Sequence, residues 1–164
     1  MDLVWSDGLL DEARRTRDDV ARSLLELGVP GVLVLTGATS IPAALTKGDV
    51  DLHLRVGPAR FEDAVEKLSR VYEVGSPDSW AATLAVFDIP RSRATGLAVT
   101  PVGSAHDVRF TCSWQALGRD PALLEAYNTL KRTASGTDGY EEAKSAFFTS
   151  ISETVGHEGR LDRA

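Results

Sequence analysis

Hydrophobic residues recur along this chain with two spacings, and the spacing changes from one segment to the next. Apolar positions three and four apart predict α-helices, whereas apolar runs and strict alternation predict β-strands. Helices are predicted at 8–27, 58–72, 104–117, from 121 to a break at 135–139, and at 140–155, with a short helix or turn at 40–46. Strands are predicted at 32–35, 49–56, 83–89 and 97–101. This order predicts an α/β (α+β) fold, a small mixed β-sheet with packed helices and a helical C-terminal tail.

Two of the predicted strands differ in their patterning. The run 32–35 is apolar throughout, which predicts a strand buried on both faces. The strand 49–56 alternates, so that Asp49, Asp51 and His53 share one face while its apolar residues point into the core from the other. His53 could therefore act beside the two aspartates as a metal ligand, a proton relay or a supporting partner.

The composition indicates one ordinary globular domain. The chain has 164 residues, of which 43% are apolar and 26% charged. We expect a single domain over 1–155 and a polar, frayed tail over 156–164. The net charge of −6 argues against a nonspecific nucleic-acid surface. With one cysteine, no leader and no run of 18 apolar residues, a cytoplasmic protein without a membrane partner is the expectation.

Asp49 and Asp51 are the first candidates for chemistry. Two carboxylates on one face of a strand can hold Mg²⁺, which prefers oxygen ligands and leaves room for substrate phosphates. The alternative is that they only solvate the outer face of a half-buried strand. Two aspartates rarely suffice to hold two metal ions, and Asp88, near the end of 83–89, is the best candidate for a further carboxylate ligand. Asp88 could instead cap the turn before Pro90.

A turn of small residues precedes the acidic strand, and the combination resembles the nucleotidyltransferase superfamily. Members of that superfamily carry a Gly-Ser or Gly-Gly turn and then a strand with Asp-x-Asp. The resemblance implies that Asp49 and Asp51 are catalytic and bind Mg²⁺ or Mn²⁺, with Asp88 as the third carboxylate. It also implies that the phosphates of a nucleotide lie against the turn residues Gly37, Ala38, Thr39 and Ser40.

Three segments in the same order, within about residues 33–150, resemble the GrpB family. The turn at 37–42, followed by Lys47 and Asp51, looks like that family's Gly-Ser-Thr-Ser-Ile-Pro signature with its later lysine and aspartate. Residues 99–104 match its Val-Val-Pro-x-Gly-Ser segment, and 127–147 match its Tyr-x-x-Leu-Lys and Tyr-x-x-x-Lys-x-x-Phe patterns. GrpB proteins are nucleotidyltransferase-like, so the resemblance implies transfer of a nucleotidyl group from an NTP to an unknown acceptor.

The chain departs from the family pattern in three places. Ala38 stands where the turn usually has a hydroxyl or a glycine. Residues 96–99 read Gly-Leu-Ala-Val where the family has His-x-His-Val, and 113–118 lack the usual Phe-Arg-Asp-Tyr-Leu-Arg. Several polar residues of the family's pocket are therefore absent or shifted.

Five further residues are candidates for the walls of the pocket. Lys47 could neutralise a phosphate or be a solvated loop charge. Tyr127 and Lys131, and likewise Tyr140 and Lys144, are four residues apart on predicted helices, so each pair shares a helix face. These pairs could line a pocket, or the tyrosines could anchor their helices while the lysines extend to solvent.

Two functions stay open from the sequence. The first is a Mg²⁺-dependent nucleotidyltransferase that uses an NTP and an unknown acceptor. The second is a catalytically inactive module of the same fold that binds a ligand or a protein partner. Neither the oligomeric state nor the acceptor follows from the residues, since a fold does not fix a function.

Overall fold

A computed structural model describes residues 2–134 and 136–161 of the protein, with the backbone alone for 153–161. The helices are α1 (Leu10–Glu26), α2 (Phe61–Ser69), α3 (Ala105–Arg119), α4 (Pro121–Ala134) and α5 (Tyr140–Leu161). The strands are β1 (Val4–Trp5), β2 (Val32–Thr36), β3 (Leu45–Thr46), β4 (Val50–Val56), β5 (Glu73–Val74), β6 (Ala85–Ile89) and β7 (Thr95–Pro101). Among the described helices, none is both long enough and apolar enough to cross a membrane.

Five strands form one mixed sheet in the order β2-β4-β7-β6-β5. The central pair, β4 and β7, is parallel, and the other neighbours are antiparallel. Strands β1 and β3 form a separate two-stranded ribbon. The predicted fold class, a small mixed sheet with packed helices, is confirmed.

Helices α1 and α2 cover one face of the sheet. The alternation of β4 places its apolar side chains in this core, where they contact apolar residues of the neighbouring strands and of both helices. The core residues include Val20, Leu24, Val50, Leu52, Leu54, Leu68, Phe87, Leu97 and Val99. The predicted division of β4 into an apolar and a polar face is therefore correct for its apolar side.

Helices α3, α4 and α5 pack together in a second layer, around a hydrophobic cluster of their own. Their apolar residues surround Tyr127, which contacts the aromatic rings of Trp114, Phe147 and Phe148. Two polar side chains of α4, Asn128 and Lys131, attach this layer to the segment before β4. The amide of Asn128 accepts from the Leu45 backbone N–H at 2.8 Å and donates to the Ala43 carbonyl at 2.9 Å.

The predicted burial of the first strand is wrong. Val32 and Val34 are 61% and 39% exposed, because β2 lies at the edge of the sheet and its outer face is left open to solvent. A continuous apolar run is equally compatible with an edge strand, so the composition of 32–35 could not distinguish the two.

Two other predicted segments differ from the structure. The segment 40–46 holds only the end of a 3₁₀ turn, Ala38–Ser40, and then β3, which pairs with β1. Helix α5 continues to Leu161, beyond its predicted end at 155, and 162–164 lie outside the described residues. The domain boundary at 155 and the frayed tail stay predictions.

Candidate functional site

Gly37 and Asp51 are in direct contact where β2 leaves the sheet. Thr36 pairs with Asp51 across the β2–β4 ladder, and Gly37 follows at φ +73° and ψ −179°, a conformation that only glycine adopts readily. A Cβ at Gly37 would lie 2.7 Å from both Cβ and Cγ of Asp51, and closer still to Oδ2. The turn therefore needs glycine for its backbone conformation and for the space that the Asp51 carboxylate occupies.

The hydroxyl groups of the turn fix its shape. Thr39 is buried, and its Oγ1 donates to the Asp49 carbonyl at 2.6 Å and lies 2.8 Å from Oγ1 of Thr46. The Ser40 hydroxyl donates to the Gly37 carbonyl at 2.7 Å, and Ala38 is buried in the second core. Of the two predicted phosphate-binding hydroxyls, that of Thr39 thus holds the turn against the start of β4, and that of Ser40 closes the turn itself.

Asp49 lies close enough to Asp51 to influence the ionisation of the Asp51 carboxyl. Burial, and next the negative charge of Asp49, raises the pKa of Asp51 to about 6. The positive charges of Lys144 and Lys131 act in the opposite direction. Asp51 is therefore a half-buried carboxylate whose ionised form carries an energetic cost. The charges that act on it come from the residue before β4, from α4 and from α5.

The three predicted lysines lie over the rings of Tyr127 and Tyr140, and the charges of Lys131 and Lys144 act on Asp51. Lys131 is 5% exposed, donates to the Leu45 carbonyl at 2.8 Å, and lies 5.0 Å from the Tyr127 ring centroid. Burial lowers its pKa to about 8, with Lys144 and Lys47 adding to that effect and the two aspartates opposing it. The ammonium groups of Lys47 and Lys144 lie 5.0 and 6.0 Å from the Tyr140 ring centroid.

The tyrosines of the two Tyr–Lys pairs are both buried. Tyr127 is 1% exposed and anchors α4 in the second core, and burial raises its pKa. Tyr140 is also buried, and its pKa is raised first by burial and then by Glu141 and Asp49. The tyrosines are thus anchors, while the lysines on their rings bring positive charge to the aspartates.

A cleft of about 420 Å³ opens beside Asp51. The sheet forms its floor with Asp51, Gly96 and Ala98, while α5 contributes Lys144 and Phe148. On the opposite wall, α3 contributes polar and aromatic side chains, namely His106, Arg109, Phe110, Ser113 and Trp114. The cleft is therefore bounded by β4, which carries Asp51, by α5, which carries Lys144, and by a polar stripe of α3.

Asp88 lies apart from the other two carboxylates. Asp51 pairs with Gly96, and Gly96 pairs with Asp88, so the two aspartates are two strands apart, about 10 Å, in one row of the sheet. Asp88 is exposed, and its carboxylate lies against Gly75. Within the described residues, no three metal-ligating side chains converge. The structure thus does not bring the predicted third carboxylate to the pair.

His53 is also separated from the aspartates. It is 2% exposed, its Nε2 lies 2.7 Å from Oγ1 of Thr100, and its ring packs edge-on against Phe110. Burial lowers its pKa to about 4, so it is neutral at pH 7. Its network continues to Asp107, whose carboxylate receives two hydrogen bonds from Arg55 at 2.5 and 2.8 Å. His53 therefore helps to attach α3 to the sheet and does not lie beside the aspartate pair.

Sequence reasoning missed the cleft residues of α3. His106, Arg109 and Ser113 are spaced three and four apart, on the same stripe as Phe110 and the buried Leu117. Polar residues on the inward stripe of an amphipathic helix are the signal that could have identified them.

We predict that Gly37→Ala destabilises the protein more than Gly103→Ala does. Both glycines have positive φ, but a Cβ at Gly103 meets nothing within 4 Å, so only Gly37→Ala also displaces Asp51. We expect a loss of about 1 kcal/mol at Gly103 and about 3 kcal/mol at Gly37 by urea denaturation. In a double-mutant cycle Asp51→Gly should recover part of the Gly37→Ala loss; strict additivity would contradict the contact.

The pH dependence of stability should separate Asp51 from His53. Between about pH 4 and 6 the folded state holds a proton on Asp51 that the unfolded state releases, so this carboxyl lowers stability as pH rises, by an amount on the order of 1–3 kcal/mol above pH 6. As pH falls from 6.5 towards 4, the unfolded state protonates His53 and the folded state does not, so stability falls.

Denaturation from pH 4 to 8 measures both effects. Asp51→Asn should gain stability relative to the wild type as pH rises through 4–6, and His53→Gln should lose less stability on acidification. Curves parallel to the wild type would contradict both assignments, whatever their vertical offset.

Comparison with known proteins gives a family and a fold. A family model described as GrpB protein matches residues 6–154. A UPF0157 protein of Vibrio cholerae is 29% identical over 118 residues, which are 70% of this chain and 62% of that protein. The chain thus spans less than two thirds of that relative's length.

Two similar solved structures agree with this result. The conserved protein GrpB from Enterococcus faecalis has a TM-score of 0.71 at 16% identity, over 93% of this chain and 96% of that one. The Cid1 poly(U) polymerase with MgGTP bound has a TM-score of 0.56 at 16% identity, over 80% of this chain and 44% of that one. These likenesses establish a nucleotidyltransferase-like fold, and the family match over nearly the whole chain shows that this protein belongs to the GrpB family.

Proposed function

We propose that this protein binds a nucleoside triphosphate with Mg²⁺ or Mn²⁺ at Asp49 and Asp51 and transfers its nucleotidyl group to an acceptor. The observation that carries the proposal is a cleft lined by Asp51 and Lys144, with the charges of Asp49 and Lys131 acting on Asp51 from beside it. Family membership and the nucleotidyltransferase-like fold support it. The structurally similar Cid1 polymerase, which was solved with MgGTP and with MgATP, gives further support at the level of the fold.

The donor set suits a single Mg²⁺ ion. Mg²⁺ is usually held by one or two carboxylates together with water and substrate phosphates, and Asp49 and Asp51 provide such a pair. The raised pKa of Asp51 reflects burial and the neighbouring negative charge, and a cation would relieve the second cause. Asp88 lies too far away to complete a two-metal site. When bound, Mg²⁺ would neutralise negative charge on the phosphates.

The lysines have separate parts in this proposal. Lys47 is exposed and Lys144 lines the cleft, so either ammonium group can contact a phosphate. Lys131 is buried and bound to the Leu45 carbonyl, so it offsets the carboxylate charge and holds β3 in place. Nucleotidyl transfer would form a bond from the acceptor oxygen to the α-phosphorus, break the bond to the β-phosphate and release pyrophosphate, with the acceptor proton passing to solvent.

A second candidate function is favoured by one observation. Gly96, directly opposite Asp51 on β7, occupies the position from which a third carboxylate could reach the metal. A protein with two carboxylates can bind Mg²⁺ and a nucleotide without being able to complete the transfer. The alternative is therefore a catalytically inactive, ligand-binding module of the same fold.

We predict that nucleotide binding depends on metal and on the aspartate pair. Calorimetric titration of ATP, GTP, CTP and UTP should detect binding in the presence of Mg²⁺ or Mn²⁺ and lose it with EDTA. Asp49→Asn and Asp51→Asn should each weaken that binding at least about tenfold, or about 1.4 kcal/mol. Asp88→Asn is the matched control, since it removes the same charge from the same row of the sheet. Equal binding in all three variants would contradict the proposed site.

We further predict that Gly96→Asp creates a stronger metal site. A Cβ at Gly96 meets only Oδ1 of Asp51, at 3.9 Å, so an aspartate can be accommodated. Without metal the added charge should lower stability by roughly 1 kcal/mol, whereas Mn²⁺ should raise the melting temperature of this variant more than that of the wild type. Gly96→Asn is the neutral control of the same shape.

The same variant separates the two candidate functions. Pyrophosphate release from ATP that appears only in Gly96→Asp would favour the inactive module for the natural chain. Pyrophosphate release already present in the wild type, and abolished by Asp51→Asn, would favour the transferase.

A further inference from the structure

The polar stripe of α3 lines the cleft, and the proposed nucleotide and metal site makes no use of it. His106, Arg109 and Ser113 all border the cavity that Asp51 and Lys144 border. They come from a different element than the aspartates and the lysines, and they form the wall that the acidic strand does not reach. The stripe is thus available to bind a second reactant.

Ser113 points to a missing ligand. It is 2% exposed, and its hydroxyl has no hydrogen-bond partner in the part of the chain that the structure describes. A buried hydroxyl normally has a partner, because leaving it unpaired costs stability. Since Ser113 lines the cleft, a molecule bound there would supply the partner.

Arg109 brings an unneutralised charge to the same wall. Its side chain is exposed and forms neither an ion pair nor a hydrogen bond with any described residue, in contrast to Arg55, which is paired with Asp107. A guanidinium group binds carboxylates and phosphates through two parallel hydrogen bonds. His106 lies one turn earlier, with Nδ1 2.7 Å from Oγ1 of Thr83, so its ring is fixed in place beside the arginine.

The floor of the cleft has room for the body of a small molecule. Gly96 and Ala98 present almost no side chain there, and a Cβ at Gly96 would meet only the Asp51 carboxylate within 4 Å. Val86, Phe110 and Phe148 form apolar borders around this floor. An apolar cavity with a few convergent polar groups is the usual form of a small-molecule site.

We propose that His106, Arg109 and Ser113 bind the anionic group of a small amphipathic molecule whose apolar body lies over Gly96 and Ala98. The anionic group is a carboxylate or a phosphate monoester, since both match the guanidinium of Arg109. In naming this molecule as the acceptor for nucleotidyl transfer, the inference rests on the proposed function. The site itself does not need metal or nucleotide.

The test uses three probes that share a phenyl ring and differ in the polar group attached to it. Each is titrated into the full chain without metal or nucleotide. Phenyl phosphate and benzoate carry the two candidate anions, and benzyl alcohol is the neutral analogue. Ligand-observed NMR titration should detect at least one anion, with benzyl alcohol binding at least about fivefold more weakly. Whichever of the two anions binds more tightly identifies the charged group of the natural ligand as a phosphate or a carboxylate.

Three variants locate the binding. Arg109→Met should weaken binding of the stronger anion at least about fivefold, whereas Arg119→Met, an exposed arginine of the same helix outside the cleft, should leave it unchanged. Ser113→Ala should also weaken binding and yet keep or raise the melting temperature of the unliganded protein, because it removes an unpaired buried hydroxyl. A merely structural serine would not give that combination.

The outcomes distinguish this site from the nucleotide site. Equal binding of benzyl alcohol, no saturable binding of either anion, or anion binding unaffected by Arg109→Met would overturn the inference. Loss of Mg²⁺-dependent ATP binding in Arg109→Met would also overturn it, because the wall would then belong to the nucleotide. Anion binding that needs Arg109, in a protein that does not bind Mg²⁺ and ATP, would support this site and contradict the proposed function.

Discussion

The contact between the Asp51 carboxylate and the backbone of Gly37 determines the arrangement of the site. Gly37 adopts a backbone conformation that residues with a Cβ rarely adopt, and its missing Cβ leaves the space that the Asp51 carboxylate fills. Thr39 then holds the turn against the start of β4 through a hydrogen bond to the Asp49 carbonyl, and Ser40 closes the turn through one to the Gly37 carbonyl. The turn and the acidic strand thus form one unit, in which the backbone conformation of the turn fixes where the Asp51 carboxylate lies.

The charges around this unit nearly offset one another without forming short ion pairs. Asp49 and Asp51 repel each other, and Lys131 and Lys144 attract Asp51 from α4 and α5. The ammonium group of Lys131 instead donates to the Leu45 carbonyl and lies over the Tyr127 ring. A half-buried carboxylate with distant counter-charges retains oxygen atoms for a cation, whereas a carboxylate in a bidentate pair, such as Asp107 with Arg55, does not.

The sequence predicted best where a pattern depends on local chemistry. The alternation in β4 predicted its apolar face correctly, and the two resemblances selected Asp51 together with Asp49, Lys131 and Lys144, the three residues whose charges act on it. Asp88 was predicted from its place at a strand end, but only the register across Gly96 shows that it lies two strands away. His53 shares a face with Asp51, yet its environment comes from Thr100 and α3, which no strand pattern reveals.

Paramagnetic line broadening tests the central claim most directly. With substoichiometric Mn²⁺ and a non-hydrolysable ATP analogue, amide signals of the labelled protein should broaden first at Gly37, Val50 and Gly96, which flank the aspartate pair. The same titration on Asp51→Asn should leave these signals sharp. Broadening centred on another acidic surface, such as Asp18 and Asp19 of α1, with Gly37 and Gly96 unaffected, would contradict a metal-dependent nucleotide site at Asp49 and Asp51.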